Sequence, residues 1–299
     1  MSIIIENKYL LNENIGEGKF GKIFSATNKN TEEEVVIKIE DNNSIILRNE
    51  ANIYRLLQGI KGISKLRSYG NEGEYNYMII DKLNKSLKDI RLSINKNFDL
   101  KSILSLGMQI LRRIECVHNE NIIHRDIKPE NFVMGNKREK NENLLYLIDF
   151  GLSKLYQKHN MHIDYKTDRT PIGTYDYMSL NVHEGIAPSR RDDLESIGYT
   201  LLYLIYGNLP WMDVTIHSQD SKDILDRSKY IEREIFKIKK EINLWELKNV
   251  PGELIIFINY CRDLSFNEKP NYSYLRMLFA NLFKLHNFPI DNVFCWSEH

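Results

Sequence analysis

The sequence predicts an α+β protein in which a small strand-rich segment precedes a larger helical one. Three observations carry that expectation. Apolar and β-branched runs crowd the first part of the chain, most clearly Val35-Val36-Ile37-Lys38-Ile39 and Tyr77-Met78-Ile79-Ile80. From residue 100 onward the apolar positions recur at the helical period instead. Between the first long helix and the next strand lies a polar loop, Ile122-Ile123-His124-Arg125-Asp126-Ile127-Lys128-Pro129-Glu130-Asn131, too rich in charge for a core strand. The connector Asp81-Lys82-Leu83-Asn84 marks the expected boundary, with residues 1–83 on one side and 84–299 on the other.

The first strands are Tyr9-Leu10-Leu11 and the stretch around Ile15-Gly16-Glu17-Gly18-Lys19-Phe20-Gly21-Lys22-Ile23-Phe24. Three glycines at this spacing fit either a hairpin turn or a loop that lets the backbone approach phosphates. The run lies between strands rather than between a strand and a helix, which argues against a dinucleotide fold. In the strand that follows, the ammonium of Lys38 requires an anionic partner. Residues 45 to 58 have a helical period around Glu50, which is either a solvated surface glutamate or that partner. Ile103, Leu104, Leu106, Ile110, Leu111, Ile114 and Val117 predict a helix over 100–119 that delivers the chain into the polar loop. There Pro129 pushes Lys128 out of the helical region, so the loop has a defined shape. The strand Leu144-Leu145-Tyr146-Leu147-Ile148 ends in Asp149-Phe150-Gly151, where Asp149 is either a turn residue or a metal ligand. Past residue 190 the expectation is helices without further chemistry: a buried axis over 193–206, then 222–241, 252–264 and 272–286. Trp211, Trp245 and Trp296 are expected to pack rather than bind.

Composition narrows the classes. With 42% hydrophobic and 27% charged residues the 299-residue chain is ordinary for a globular protein. Lys plus Arg equals Asp plus Glu at 41 each, so bulk charge favours neither nucleic acid nor a membrane surface. Cys116, Cys261 and Cys295 have no ligand spacing, which suits a reducing compartment and neither a disulfide framework nor a zinc site. The N-terminal apolar run is too short for a signal peptide, and Leu254-Ile255-Ile256-Phe257-Ile258 is a buried helix segment rather than a span. Ser at position 2 excludes myristoylation, and Cys295 is one place too far from the end for prenylation. The expectation is a soluble intracellular monomer, cytoplasmic and/or nuclear.

Together the glycine-rich run, the lysine of Val-Val-Ile-Lys, the helix glutamate, His-Arg-Asp with its downstream Asn, and Asp-Phe-Gly resemble a eukaryotic protein kinase, in that family's order. The resemblance implies a bilobal protein-kinase fold, with a small antiparallel-sheet N-lobe carrying one main helix and a larger helical C-lobe. Gly151-Leu152-Ser153-Lys154, Ser179-Leu180-Asn181, the stretch Ser189 to Ser196, Leu209-Pro210-Trp211 and Lys269 to Arg276 are similar to the casein kinase 1 family. That likeness implies a serine/threonine kinase using ATP and Mg2+ on protein substrates. The alternative is a pseudokinase scaffold on the same fold; a metabolite kinase fits the helical-lobe signatures poorly. The chain ends shortly after the matching stretch, so no C-terminal regulatory tail is expected.

The resemblance also implies roles. Ile15, Gly16, Glu17, Gly18, Lys19, Phe20, Gly21, Lys22 and Ile23 would cover the phosphates, and Lys38, held by Glu50, would contact them. Asp126 would accept the proton of the substrate hydroxyl, Lys128 would offset charge on the transferring group, and Thr174 would orient both. Asn131 and Asp149 would hold Mg2+, whose hardness suits oxygen ligands. Asp81 and Leu83 would read adenine through their backbones, between Val36 and Val133. Asp176 departs from the family, which has an arginine there for a phosphate already on the substrate; Lys229 matches that pocket. Arg125, Lys154 and Arg169 match a second anion site, and activity without activating phosphorylation is expected.

Overall fold

The computed structural model describes residues 3–18, 21–94, 97–214 and 224–297. The chain divides into two compact units, residues 1–84 with 133–153, and 85–132 with 154–299.

The first unit is built on an antiparallel six-stranded sheet: β1 (Ile4–Ile5), β2 (Tyr9–Gly18), β3 (Gly21–Asn28), β4 (Glu34–Asp41), β5 (Leu66–Glu72) and β6 (Tyr75–Asp81), in the order β1-β2-β3-β4-β6-β5. Alternation along β4 decides what each face does. Val35 and Ile37 are buried with Ile5, Tyr9, Ala26, Tyr77 and Ile79, whereas Val36 and Lys38 project from the opposite face. Lys38 pairs with Ile23 on one side and Met78 on the other, and Val36 with Ile80. Gly21 must be glycine, because a Cβ there would collide with the carbonyl oxygen of Ile39.

Helix α1 (Ile46–Leu56) buries Leu47, Ala51 and Tyr54, spaced i, i+4, i+7, together with Glu50. Ile45 at its start has no capping side chain; Ser44 Oγ accepts the Ile46 amide at 3.3 Å and Glu40 of β4 the Leu47 amide at 2.9 Å. A carboxylate at that end also complements the helix dipole. Residues 133–153, which the sequence-based boundary grouped with the later chain, cluster with this unit. The strand Leu145–Leu147 pairs with Phe132–Met134, and Leu147 bridges Ile63 and donates its amide to the Gly62 carbonyl at 2.9 Å.

The second unit is mainly helical: α2 (Leu87–Ser93), α3 (Leu100–Asn119), α4 (Leu180–His183), α5 (Arg190–Tyr206), α6 (Ile224–Glu241), α7 (Gly252–Asp263) and α8 (Tyr272–Leu285). α3 covers the span predicted from its period and starts where the Asp99 side chain accepts the Ser102 amide at 2.8 Å. α5 is buried from Arg190 to Leu204 and ends at Gly207, whose φ of 79° favours glycine. Helices approach closely where glycine permits: a Cβ on Gly198 of α5 would strike Ile258 of α7. Trp211 is buried and Trp296 stacks on Phe294 with ring centroids 4.6 Å apart, but Trp245 does not pack as expected and is 60% exposed. Among the described residues no helix is long and apolar enough to cross a membrane.

Candidate active site

The predicted site residues form one constellation in each unit. In the first, Lys38 Nζ lies 2.7 Å from Glu50 Oε1 and 3.0 Å from Asp149 Oδ1. The buried ammonium thus has two carboxylates. Burial disfavours its charge, but Glu50 and Asp149 outweigh that, so its pKa lies well above the ordinary lysine value. Glu50 is the buried carboxylate of the pair and also accepts the Phe150 amide. Of the two readings of Glu50, the structure shows the lysine partner.

Asp149 adopts φ 65°, ψ 70°, a left-handed conformation uncommon outside glycine. Its amide donates to the Tyr54 hydroxyl at 3.4 Å, and Tyr54 meets the buried Phe150 edge-to-face at 5.0 Å. These contacts turn the Asp149 carboxyl out of the core, where it is 41% exposed.

Ile15, Gly16, Glu17 and Gly18 lie on β2, opposite Gly21, Lys22 and Ile23 on β3. Lys19 and Phe20, expected at the tip, lie outside the described residues. Val36 is half-buried and Val133 buried. Arg67 Nε holds the Asp81 carboxylate at 2.5 Å, and the Asp81 carbonyl accepts from Ser64 Oγ at 3.2 Å. Leu83 makes no backbone hydrogen bond among the described residues.

In the second unit Asp126 is fixed through both oxygens. Oδ1 accepts the Thr174 amide at 3.0 Å and the Thr174 hydroxyl at 2.8 Å. Oδ2 pairs with Lys128 Nζ at 2.7 Å and takes a longer bond of 3.4 Å from Asn131 Nδ2. Lys128 also donates to Thr174 Oγ at 3.1 Å, so Asp126, Lys128 and Thr174 form a closed triangle. Asn131 Nδ2 donates to the Asp126 carbonyl at 2.8 Å, which leaves its Oδ1 without a partner among the described residues.

One residue that organises this loop was missed by sequence reasoning, which expected no chemistry past residue 190. Asp193 of α5, 2% exposed, accepts the His124 amide at 2.7 Å and the Arg125 amide at 2.8 Å. It also accepts from His118 Nε2 at 2.9 Å, while His118 Nδ1 meets the Tyr272 hydroxyl at 2.5 Å. Burial lowers the His118 pKa against the pull of Asp193, so His118 is neutral, donating through Nε2 and accepting at Nδ1. The left-handed φ of 68° at Arg125 is the turn that presents both amides to Asp193.

Arg125, Lys154 and Arg169, grouped from sequence, do converge. They line a cavity of about 570 Å³ with Lys158, Lys166 and Thr170.

Across residues 9–277 the chain matches the protein kinase domain family. That span is most of the 299 residues. The chain belongs to the protein kinase family. The sheet unit with its one main helix and the helical unit are the two parts of the kinase fold expected from sequence. The Lys38–Glu50 pair and the Asp126–Lys128–Thr174 triangle are therefore read within a kinase domain.

Proposed function

We propose that the protein is a serine/threonine protein kinase of casein kinase 1 type, transferring the γ-phosphate of ATP to Ser or Thr hydroxyls of proteins. The observation that supports this most is the triangle in the second unit, with Lys128 bonded to both Asp126 and Thr174. Phosphoryl transfer requires donor phosphates to be held and an acceptor hydroxyl to be aimed, with little covalent work for the protein. Lys38 is suited to the first task, as an ammonium fixed by two carboxylates. Asp126 is suited to the second: donors on both oxygens leave its carboxylate one orientation in which to meet a hydroxyl and receive its proton. Lys128, paired with Asp126, would offset charge on the transferring group.

Asn131 and Asp149 would hold Mg2+. Asn131 Oδ1 and the Asp149 carboxylate are hard oxygens, and the Asn131 amide is turned so that its oxygen remains available. Bound Mg2+ would neutralise phosphate charge during transfer. Leu83 would read adenine through its backbone groups, with Val36 and Val133 against the base and β2–β3 over the phosphates. The basic cavity around Arg125 would hold an anion, because Arg125 is largely desolvated there and four further cations line the wall. The soluble, cytoplasmic or nuclear setting and the monomeric state are part of the same proposal.

The test is incorporation of labelled phosphate into casein with Mg2+. The native protein is expected to label it, and Asp149→Asn to lose at least about a hundredfold. No incorporation by the native protein would favour a scaffold instead. Substrate choice gives a second prediction. Asp176 stands where a primed-substrate pocket needs a cation, half-buried, with its carboxyl pKa pushed up by burial. Lys229 is exposed. Peptides carrying phosphoserine three residues upstream should be used no better than their unphosphorylated forms. Strong selection for the phosphopeptides in a peptide array would overturn that.

A further inference from the structure

We infer that Lys239 is a positioning residue: from α6 it clamps the backbone of residues 175–178 and, through the adjoining Thr174, fixes the orientation of Asp126. The inference rests on the phosphotransfer reading for its effect on rate, while the clamp itself is structural.

Lys239 lies in the run Lys237-Ile238-Lys239-Lys240-Glu241, which reads as a solvated charged helix face. Its neighbour Lys240 is exposed as expected, whereas Lys239 is wholly buried. Its Nζ donates to the Tyr175 carbonyl at 2.6 Å and the Met178 carbonyl at 2.8 Å, and lies 3.4 Å from His183 Nε2. His183 Nδ1 donates to Glu232 at 2.8 Å, and burial, reinforced by Lys239, lowers its pKa to about 3, so Nε2 is an acceptor. Three acceptors therefore face the three N–H groups of one ammonium. The amine sits over the rings of Tyr199 at 4.7 Å and Trp211 at 5.1 Å. Trp211 completes the clamp, its Nε1 donating to the Asp176 carbonyl at 2.8 Å.

The segment needs such partners. Residues 175–178 have no strand neighbour, and buried carbonyls without donors are costly. Two buried side chains capture the carbonyls of Tyr175, Asp176 and Met178. The next residue back is Thr174, whose carbonyl accepts the Tyr177 and Met178 amides and whose amide and hydroxyl hold Asp126. A shift of the clamped turn therefore moves both donors to Asp126 Oδ1.

Burial lowers the Lys239 pKa to about 7, opposed by Glu195 and Asp176, with Arg262 adding to the fall and Glu232 to the opposition. The folded protein holds this proton only below about 7, whereas the unfolded chain holds it up to about 10.5. Native stability should thus rise with pH through that interval. An amine with two N–H groups can still serve both carbonyls, so the clamp survives loss of the proton.

The experiment is amide hydrogen exchange and steady-state kinetics on the full chain, native against Lys239→Met and Trp211→Phe. In Lys239→Met, exchange at Thr174, Tyr177 and Met178 should rise about tenfold or more with the β2–β6 amides unchanged. Its kcat should fall about tenfold with KM for ATP unaltered. The rise of melting temperature from pH 7 to 9 should vanish. Trp211→Phe, which removes one donor but keeps an aromatic ring, should give a smaller rise at the same three amides and carries the test if Lys239→Met fails to fold. Unchanged exchange at these amides in both variants, or a KM change with kcat intact, would overturn the inference. Absence of phosphotransfer by the native protein would count against the proposed function alone, because the exchange measurement decides the clamp independently.

Discussion

Asp126→Asn should lower phosphate transfer to protein by about 10²–10⁴ while the second unit keeps its fold. The carboxylate currently takes four donors, from the Thr174 amide and hydroxyl, Lys128 and Asn131. An amide at this position retains one acceptor oxygen, which can still meet Thr174. It places an NH2 where Lys128 and Asn131 both donate, so that corner of the triangle opens. An amide nitrogen also cannot accept the proton of a substrate hydroxyl. The loss should therefore appear in kcat, with KM for ATP little altered, because the residues proposed to hold the nucleotide are in the other unit. Labelled phosphate incorporation measures the first quantity and a nucleotide titration the second. Retention of more than about a tenth of native kcat would remove Asp126 from the role of base.

Asp193→Ala should be strongly destabilising, by about 3 kcal/mol or more, since it strips the acceptor from three donors. The side chain is buried and accepts from His118 and from the amides of His124 and Arg125. Alanine removes the acceptor that two loop amides and one imidazole N–H share. Urea unfolding followed by circular dichroism measures the cost. Under conditions where the variant remains folded, its activity should also fall, because the His124–Arg125 amides lead directly into Asp126. His118→Phe separates the two effects. It removes one of the three donors and spares the loop amides, so it should cost less stability and leave kcat within about threefold. An Asp193→Ala variant as stable as the native protein would show that the loop does not depend on this anchor.

The candidate site residues stood out in the sequence because each breaks a local pattern. A glycine-spaced run, a lysine inside a β-branched strand and a proline-shaped loop each break the pattern of an ordinary core element, and their order along the chain is itself informative. Helix α3 was legible to the residue because its period is strong. Glu50 was only half legible, since a glutamate on a helix surface and one turned into a lysine look alike until the partner is placed.

Asp193 and Lys239 were hidden for a common reason. Asp193 opens the span expected to be buried, but its charged neighbours Arg190-Arg191-Asp192 do not say which backbone groups it holds, and Lys237 to Glu241 reads as a polar face. What buries them is the packing of α5 and α6 against backbone from far along the chain, 68 residues away for the Arg125 amide and 64 for the Tyr175 carbonyl. The assignment of 133–153 to the sheet unit has the same origin, a bridge from Leu147 to Ile63 that no local pattern encodes. By itself the sequence determined the longer helices, most of the first strands and the kinase family, because those follow from residue type and near neighbours. Tertiary structure alone decided which charged side chains are buried and which backbone groups they hold, because a buried ion is stable only where distant segments supply its partners.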